Sequence, residues 1–259
     1  MKYIDTHCHV HFADYDKDAD IVLGNAAKNG VTKVLCVGCT LDDSKYGVEF
    51  AKDRDGVWAT IGLHPHDGIK YADNQELLQQ FRNLANKPKV VAIGETGLDY
   101  YYKNSPKASQ EKLLRYQLDM AIEFDLPLIF HVRDAFEDFW RIFDNHNSAS
   151  QGLRGVVHSF TGSEKDLDEI LSRNLYVGLN GIMTFTKNKH QLDTAKKVPL
   201  EKLLLETDAP FLTPVPFRGK ICEPGHVIVT AEFLSHLREE RLEDLAAVTT
   251  KNAERLFRI

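Results

Sequence analysis

The sequence predicts an α/β fold, a single-domain (β/α)8 TIM barrel, and three observations carry that expectation. Short β-branched apolar runs alternate with amphipathic stretches of helical period along the whole chain, the pattern of βα units on a parallel sheet. Eight alternations fit into 259 residues, a length at which an α/β barrel still closes around one core. An open doubly wound sheet would carry a Gly-rich loop after its first strand, and Asp5-Thr6-His7-Cys8-His9 stands there instead.

In chain order, a strand at Lys2–Val10 precedes a helical pattern at 16–29, and Val31–Cys39 precedes 42–54. Val57–His64 is followed by 73–85, Val90–Thr96 by 107–125, and Pro127–Val132 by 135–146. Gly155–Ser159 leads to 164–173, Leu175–Leu179 to 187–197, and Leu203–Thr207 to 225–238, with a last helix at 242–257. The strand runs are five to nine residues long and rich in Val, Ile and Leu, too short for helices of the same content. No Pro/Gly/Ser linker, composition break or longer repeat divides the chain, so 1–259 is read as one domain.

Composition is that of a globular protein, 43% hydrophobic and 27% charged. The amino-terminal MKYIDTHCHV lacks the apolar stretch of a secretory signal and no run approaches a membrane span, so a cytoplasmic location without membrane association is expected. Cys8, Cys36, Cys39 and Cys222 are then expected to be thiols and not a disulfide framework. A net charge of −6 argues against coating nucleic acid through a broad basic face, although it leaves room for a small basic pocket.

Chemistry concentrates where the expected strands run out. His7 and His9 alternate on the first strand, so both imidazoles can point to one side as a chelating pair. Glu95, His131, His158 and Asp208 close the fourth, fifth, sixth and eighth apolar runs. The carboxyl ends of barrel strands converge on one mouth, and a polar residue buried there is costly unless it is paired or binds an ion. Four imidazoles with two carboxylates suit Zn, Mn, Co or Ni better than Ca, and Mg where waters complete the shell. Six ligands exceed one tetrahedral zinc, which points to two divalent ions, Mg, Mn or Zn.

Around this set, His64 and His66 stand in Gly62-Leu63-His64-Pro65-His66, with His64 nearest the strand end and read as the functional one. Arg133 follows His131, and Arg218 and Lys220 lie in the long stretch after the eighth strand; Arg is shaped to grip phosphate, which such barrel loops often bind. Cys36-x-x-Cys39 is read as two buried thiols, since no second cysteine pair follows. Tyr100-Tyr101-Tyr102 either stack bases at the rim or pack on a neighbouring helix, with packing expected for at least one.

With these residues in view, the chain resembles the TatD family of metal-dependent deoxyribonucleases, a branch of the amidohydrolase-like barrels, essentially end to end. The motifs are Asp5-Thr6-His7-Cys8-His9, Gly62-Leu63-His64-Pro65-His66, Gly94-Glu95-Thr96-Gly97-Leu98-Asp99-Tyr100, His131-Val132-Arg133, His158-Ser159-Phe160-Thr161-Gly162 and Glu206-Thr207-Asp208-Ala209-Pro210. The resemblance implies one ion on His7, His9, Glu95 and Asp208, a second on Glu95, His131 and His158, and a phosphate contact at His64. It also implies a DNase, often a 3′-to-5′ exonuclease on single strands, with DNA ends and also RNA ends as candidate partners. The net charge fits, since a terminal nucleotide needs a pocket and not a basic track, and the oligomeric state is left open, a monomer being compatible. Where the family often reads Arg-Gly-Lys-x-Asn-Glu-Pro, this chain has Arg218-Gly219-Lys220-Ile221-Cys222-Glu223-Pro224, so a contact from that Asn is in question.

On this reading Asp208 and Glu95 are the catalytic candidates, Asp208 as the base for the attacking water, and His64, Arg218, Arg133 and Lys220 hold phosphate. A rival is amide or ester hydrolysis, such as deacylation of a D-aminoacyl-tRNA, since the same ligands polarise a carbonyl. Glu95 in place of a bridging lysine weighs against it. A non-catalytic metal-binding scaffold is a further alternative, disfavoured because all six ligands are present.

Overall fold

The computed structural model describes residues 1–150 and 152–259, without the side chains of 148–150. Strands β1 (Tyr3–Cys8), β2 (Val31–Val37), β3 (Val57–Ile61), β4 (Val90–Asp99), β5 (Leu128–Arg133), β6 (Gly155–Val157), β7 (Tyr176–Leu179) and β8 (Leu203–Leu205) form one sheet in sequential order. The ladders are parallel, and helices alternate with the strands, which makes the fold α/β of the (β/α)8 barrel type.

The helices are α1 (Ala19–Lys28), α2 (Leu41–Lys52), α3 (Gly68–Tyr71), α4 (Gln75–Arg82), α5 (Lys107–Phe124), α6 (Phe136–Ser150), α7 (Glu164–Ser172), α8 (Ile182–Phe185), α9 (Lys189–Lys197), α10 (Val227–Arg238) and α11 (Leu242–Phe257). Helices α3 and α8, of four residues each, lie outside the sequence reading because one turn shows no 3.6-residue period. Several starts follow from local chemistry. Asp18 and Thr40 accept from Ile21 N and Asp43 N to cap α1 and α2, and Ser163 with Asp166 forms a capping box on α7. No helix among the described residues is long and apolar enough to cross a membrane.

Residues Met1–Cys36 and His158–Ile259 pack as one compact unit and Val37–Val157 as another. In the first, Ile4, Val177, Leu179, Leu203 and Leu204 of the strands and Leu234, Leu245 and Leu256 of α10 and α11 are all buried. Asn252 of α11 donates to the Leu200 and Leu203 carbonyls, fixing the start of β8. An isolated parallel bridge pairs Cys8 with Ala209, so β1 runs beside the segment that follows β8.

In the second unit, Phe130 of β5 meets Phe139 edge to face at 5.0 Å and Phe143 at 5.8 Å, both from α6. Two buried glutamines on α5, seven residues and so two turns apart, share one face. Gln117 bonds both the N–H and the carbonyl of Leu63 at 2.9 Å, and Gln110 does the same for Asp99 at 2.8 and 3.0 Å. They hold the segment after β3 and the end of β4, where the unit's histidines and acids lie.

Candidate metal centre

Each unit carries its own cluster of imidazoles and carboxylates. In the first, His7 sits on β1 and His9 just beyond it, and their Nε2 atoms are 3.2 Å apart. Both face Asp208 Oδ1, at 3.5 Å from His7 and 3.4 Å from His9. Main-chain bonds set this alignment: Asp208 N donates to His7 O at 2.8 Å and His9 N to Ala209 O at 2.6 Å. Asp208 has φ 63°, a left-handed conformation that Asp tolerates better than most residues, and strain of this kind clusters at functional sites.

His158 stacks on His7, with centroids 4.1 Å apart and planes at 15°. Glu206, 1% exposed, lies 3.7 Å from His158 Nδ1 and accepts from Ser159 N at 2.6 Å. Asp5 is fully buried and accepts from Thr207 N at 2.9 Å and Thr207 Oγ1 at 2.6 Å, tying β1 to the turn that bears Asp208. Burial raises the Asp5 carboxyl well above its ordinary range despite those bonds. Burial also pushes Asp208 up, but the hydrogen bond from His9 and the charges of His7, His9 and His158 outweigh it and leave its carboxyl below the usual value.

In the second unit, Glu95 Oε1 lies 2.9 Å from His131 Nδ1 and 3.4 Å from His64 Nε2. Glu95 is not at a strand end as expected. It lies in the middle of β4, and His131 lies within β5, because pairing of these strands continues to Asp99 opposite Arg133. Glycines make the extension possible: a Cβ at Gly97 would come within 1.9 Å of His131 O, and one at Gly62 within 2.1 Å of Glu95 N. His158 and Asp208 do fall just past β6 and β8.

Asp99, fully buried, is the hub of this cluster. Its Oδ2 accepts from His66 Nε2 at 2.9 Å and His131 Nε2 at 3.0 Å, and its Oδ1 from the N–H groups of Tyr101 and Tyr102 at 3.0 and 2.9 Å. Burial raises its carboxyl, but the bonds from His131, Tyr102 N and His66 dominate and hold it well below the carboxylate range. Its folded pKa lies below the unfolded one, so its stabilisation is present above about pH 4 and is lost as pH falls through the folded value. Asp99→Asn replaces an acceptor by a donor and is expected to cost about 3 kcal/mol at pH 6. Urea midpoints at pH 6 and pH 3 check this: the gap between variant and wild type should narrow at pH 3, and a gap that is constant or wider there refutes it.

The donor sets fit divalent ions. His131 gives its Nε2 hydrogen to Asp99, which leaves a lone pair on Nδ1 facing a carboxylate oxygen at 2.9 Å, a spacing that calls for a proton or a cation between them. The 3.2–3.5 Å separations among His7, His9 and Asp208 match the roughly 3.0–3.4 Å between ligands that each lie about 2.1 Å from one ion. His7, His158 and Glu206 form one group with metal-holding spacing, and His64, Glu95 and His131 another.

His64 belongs to that second group. Its Nδ1 accepts from His66 N at 3.3 Å, which leaves the hydrogen on Nε2, and burial lowers its pKa to about 4, so it is a neutral donor at physiological pH. Arg133, Arg218 and Lys220 are exposed. Arg133 stacks on Tyr101 and Tyr102, while Arg218 donates to Thr213 O at 2.8 Å and lies 3.9 Å over Phe185. Lys220 lies 5.8 Å over Phe217 of the same loop.

Cys39 corrects the buried-thiol reading: it is half-buried, lies past the end of β2 where strand alternation no longer applies, and its Sγ is 3.7 Å from Glu95 Oε2. Cys36 is buried as expected. Cys222 is buried too, with its N donating to Pro210 O at 3.0 Å and its carbonyl accepting from Tyr15 at 3.2 Å, so this position braces the loop. Glu206, Asp99 and Asp5, which lie against these clusters, are not singled out in the sequence reading. The signal was available, since each is an acid within or ending an apolar run, the criterion that found Glu95 and Asp208.

Residues 4–258 match the family model for TatD related DNase. The chain is 40% identical to YabD of Bacillus subtilis, an uncharacterized metal-dependent hydrolase, with 98% of each chain covered. It is 34% identical to the 3′-5′ ssDNA/RNA exonuclease TatD of Salmonella typhimurium, over 95% of each. The crystal structure of YJJV, a TatD homologue from Escherichia coli, superposes with a TM-score of 0.91 at 30% identity, covering 99% of this chain and 98% of that one. The chain belongs to the TatD related DNase family.

Proposed function

We propose that this chain is a metal-dependent hydrolase that cleaves phosphodiester bonds at nucleic-acid ends, as a 3′-to-5′ exonuclease on single strands. The observation that carries the reading is the convergence of His7 Nε2, His9 Nε2 and Asp208 Oδ1 within 3.2–3.5 Å, a donor set made for a hard or borderline divalent ion. The direction and strand preference are supported by the exonuclease name of the Salmonella typhimurium relative.

In this proposal His7, His9, His158 and Asp208 of the first unit would hold divalent metal, as would Glu95 and His131 of the second. When bound, the ions supply Lewis acidity that offsets phosphate charge and makes water a better nucleophile near neutral pH. Asp208, kept ionised by its histidine neighbours, takes the proton of the attacking water. Asp99 orients His131 through its hydrogen bond, the role carboxylates behind metal-binding imidazoles commonly play, and Glu206 places negative charge 3.7 Å from His158 Nδ1. His64 donates through Nε2 towards a phosphate oxygen, and Arg133, Arg218 and Lys220 supply positive charge for the strand.

The test uses the purified chain with 3′- and 5′-labelled single-stranded DNA and RNA, in Mg, Mn or Zn and in EDTA. Stepwise shortening from the 3′ end that EDTA stops is the expected result. Cleavage that persists in EDTA overturns the metal-dependent reading, and an EDTA-sensitive activity on esters or amides alone overturns the nuclease reading.

A further inference from the structure

We propose that Tyr101, Tyr102 and Arg133 form a stacking subsite for a nucleobase of the single strand, next to the Glu95–His131 cluster; this rests on the nuclease reading above. The three tyrosines after β4 do different things. Tyr100 is half-buried, donates its hydroxyl to Asp138 at 3.0 Å and packs under Lys107, so it is structural. Tyr101 and Tyr102 remain 56% and 47% exposed, a large aromatic surface left in water.

Their arrangement suits a base. The rings meet edge to face at 84° with centroids 4.9 Å apart, and the Arg133 guanidinium lies 4.0 Å from one and 4.9 Å from the other. A guanidinium on aromatic faces makes an amphipathic platform that stacks with a third π system and can also pair with the adjoining phosphate. Every base offers a π face, so such a platform tolerates any sequence, while a base still paired within a duplex cannot reach it.

The platform is also pre-positioned. Asp99 holds the N–H groups of Tyr101 and Tyr102 on one oxygen and the imidazoles of His66 and His131 on the other. The Tyr102 ring in turn meets His66 edge to face at 5.5 Å and 81°. One buried carboxylate therefore fixes the aromatic turn relative to an imidazole of the metal cluster, and ordering the platform costs the ligand little. A base seated there places its own backbone phosphate beside that cluster.

The experiment is fluorescence anisotropy of a labelled single-stranded oligonucleotide in EDTA, comparing an intact 3′-terminal nucleotide with an abasic one. Wild type should bind the intact strand roughly tenfold more tightly than the abasic strand. Tyr101→Ala and Tyr102→Ala should shrink that ratio towards one, and Tyr102→Phe should keep it. Equal affinity of wild type for both strands, or an undiminished ratio in both alanine variants, overturns the subsite. Binding is read without turnover, so failure of the nuclease assay removes the nuclease reading while this ratio still decides the platform.

Discussion

Glu95→Gln is expected to lower hydrolysis by on the order of a thousandfold or more and to reduce the metal content of the purified chain. The side chain is buried, with Oε1 at 2.9 Å from His131 Nδ1 and 3.4 Å from His64 Nε2. Glutamine has the same shape, so β4 and the packing of Gly62 against its backbone are preserved. What changes is the charge and one donor. The new amide can donate to His131 Nδ1, converting a gap suited to a cation into an internal hydrogen bond. The ion then competes with a satisfied pair and has lost a negative ligand. Metal analysis with Mn-supported rates checks this, with circular dichroism to confirm the fold. A variant with full metal content and a wild-type rate removes Glu95 from the chemistry.

The alternation of strands and helices was legible because a parallel strand buried on both faces reads as a short apolar run, while longer helices carry a 3.6-residue period over several turns. One-turn helices lack that period, so Gly68–Tyr71 and Ile182–Phe185 were invisible. His7, His9, His64 and Asp208 stood out in the sequence because a polar side chain inside or closing an apolar run needs a partner to justify its burial.

The sequence reading ended the fourth strand at Thr96, whereas β4 runs on to Asp99 past both Gly94 and Gly97. In the structure they are what lets the strand continue against β5, since a side chain at Gly97 would meet the His131 carbonyl. The supporting acids follow the same logic as the ligands, but their partners are far away in sequence: Glu206 meets His158 across 48 positions and Asp99 meets His131 across 32. Only the fold reveals which carboxylate stands behind which imidazole. The division among Tyr100, Tyr101 and Tyr102 has the same cause, because it depends on Asp138 and Arg133, residues of the next βα unit.

Asp208→Asn should separate holding the metal from moving the proton. The amide keeps an oxygen where Asp208 Oδ1 now lies, 3.5 and 3.4 Å from the His7 and His9 nitrogens, so much of the metal content should remain. It cannot accept the proton of the attacking water, and the loss of a general base is expected to cost about 10²–10⁴-fold in kcat with KM little changed. The direction of the pKa shift sharpens the test. The Asp208 carboxyl titrates below its ordinary value, so a rate that needs it ionised persists as pH falls past about 4, and Asp208 does not set the acid limb. That limb should instead follow loss of the ion, since metal affinity falls on acidification. Wild type should therefore lose both rate and bound metal together on acidification, whereas the Asn variant should be slow at every pH with metal still bound near neutrality. An Asn variant that turns over at the wild-type rate excludes Asp208 as the base, and one that loses rate only in proportion to lost metal makes it a ligand alone.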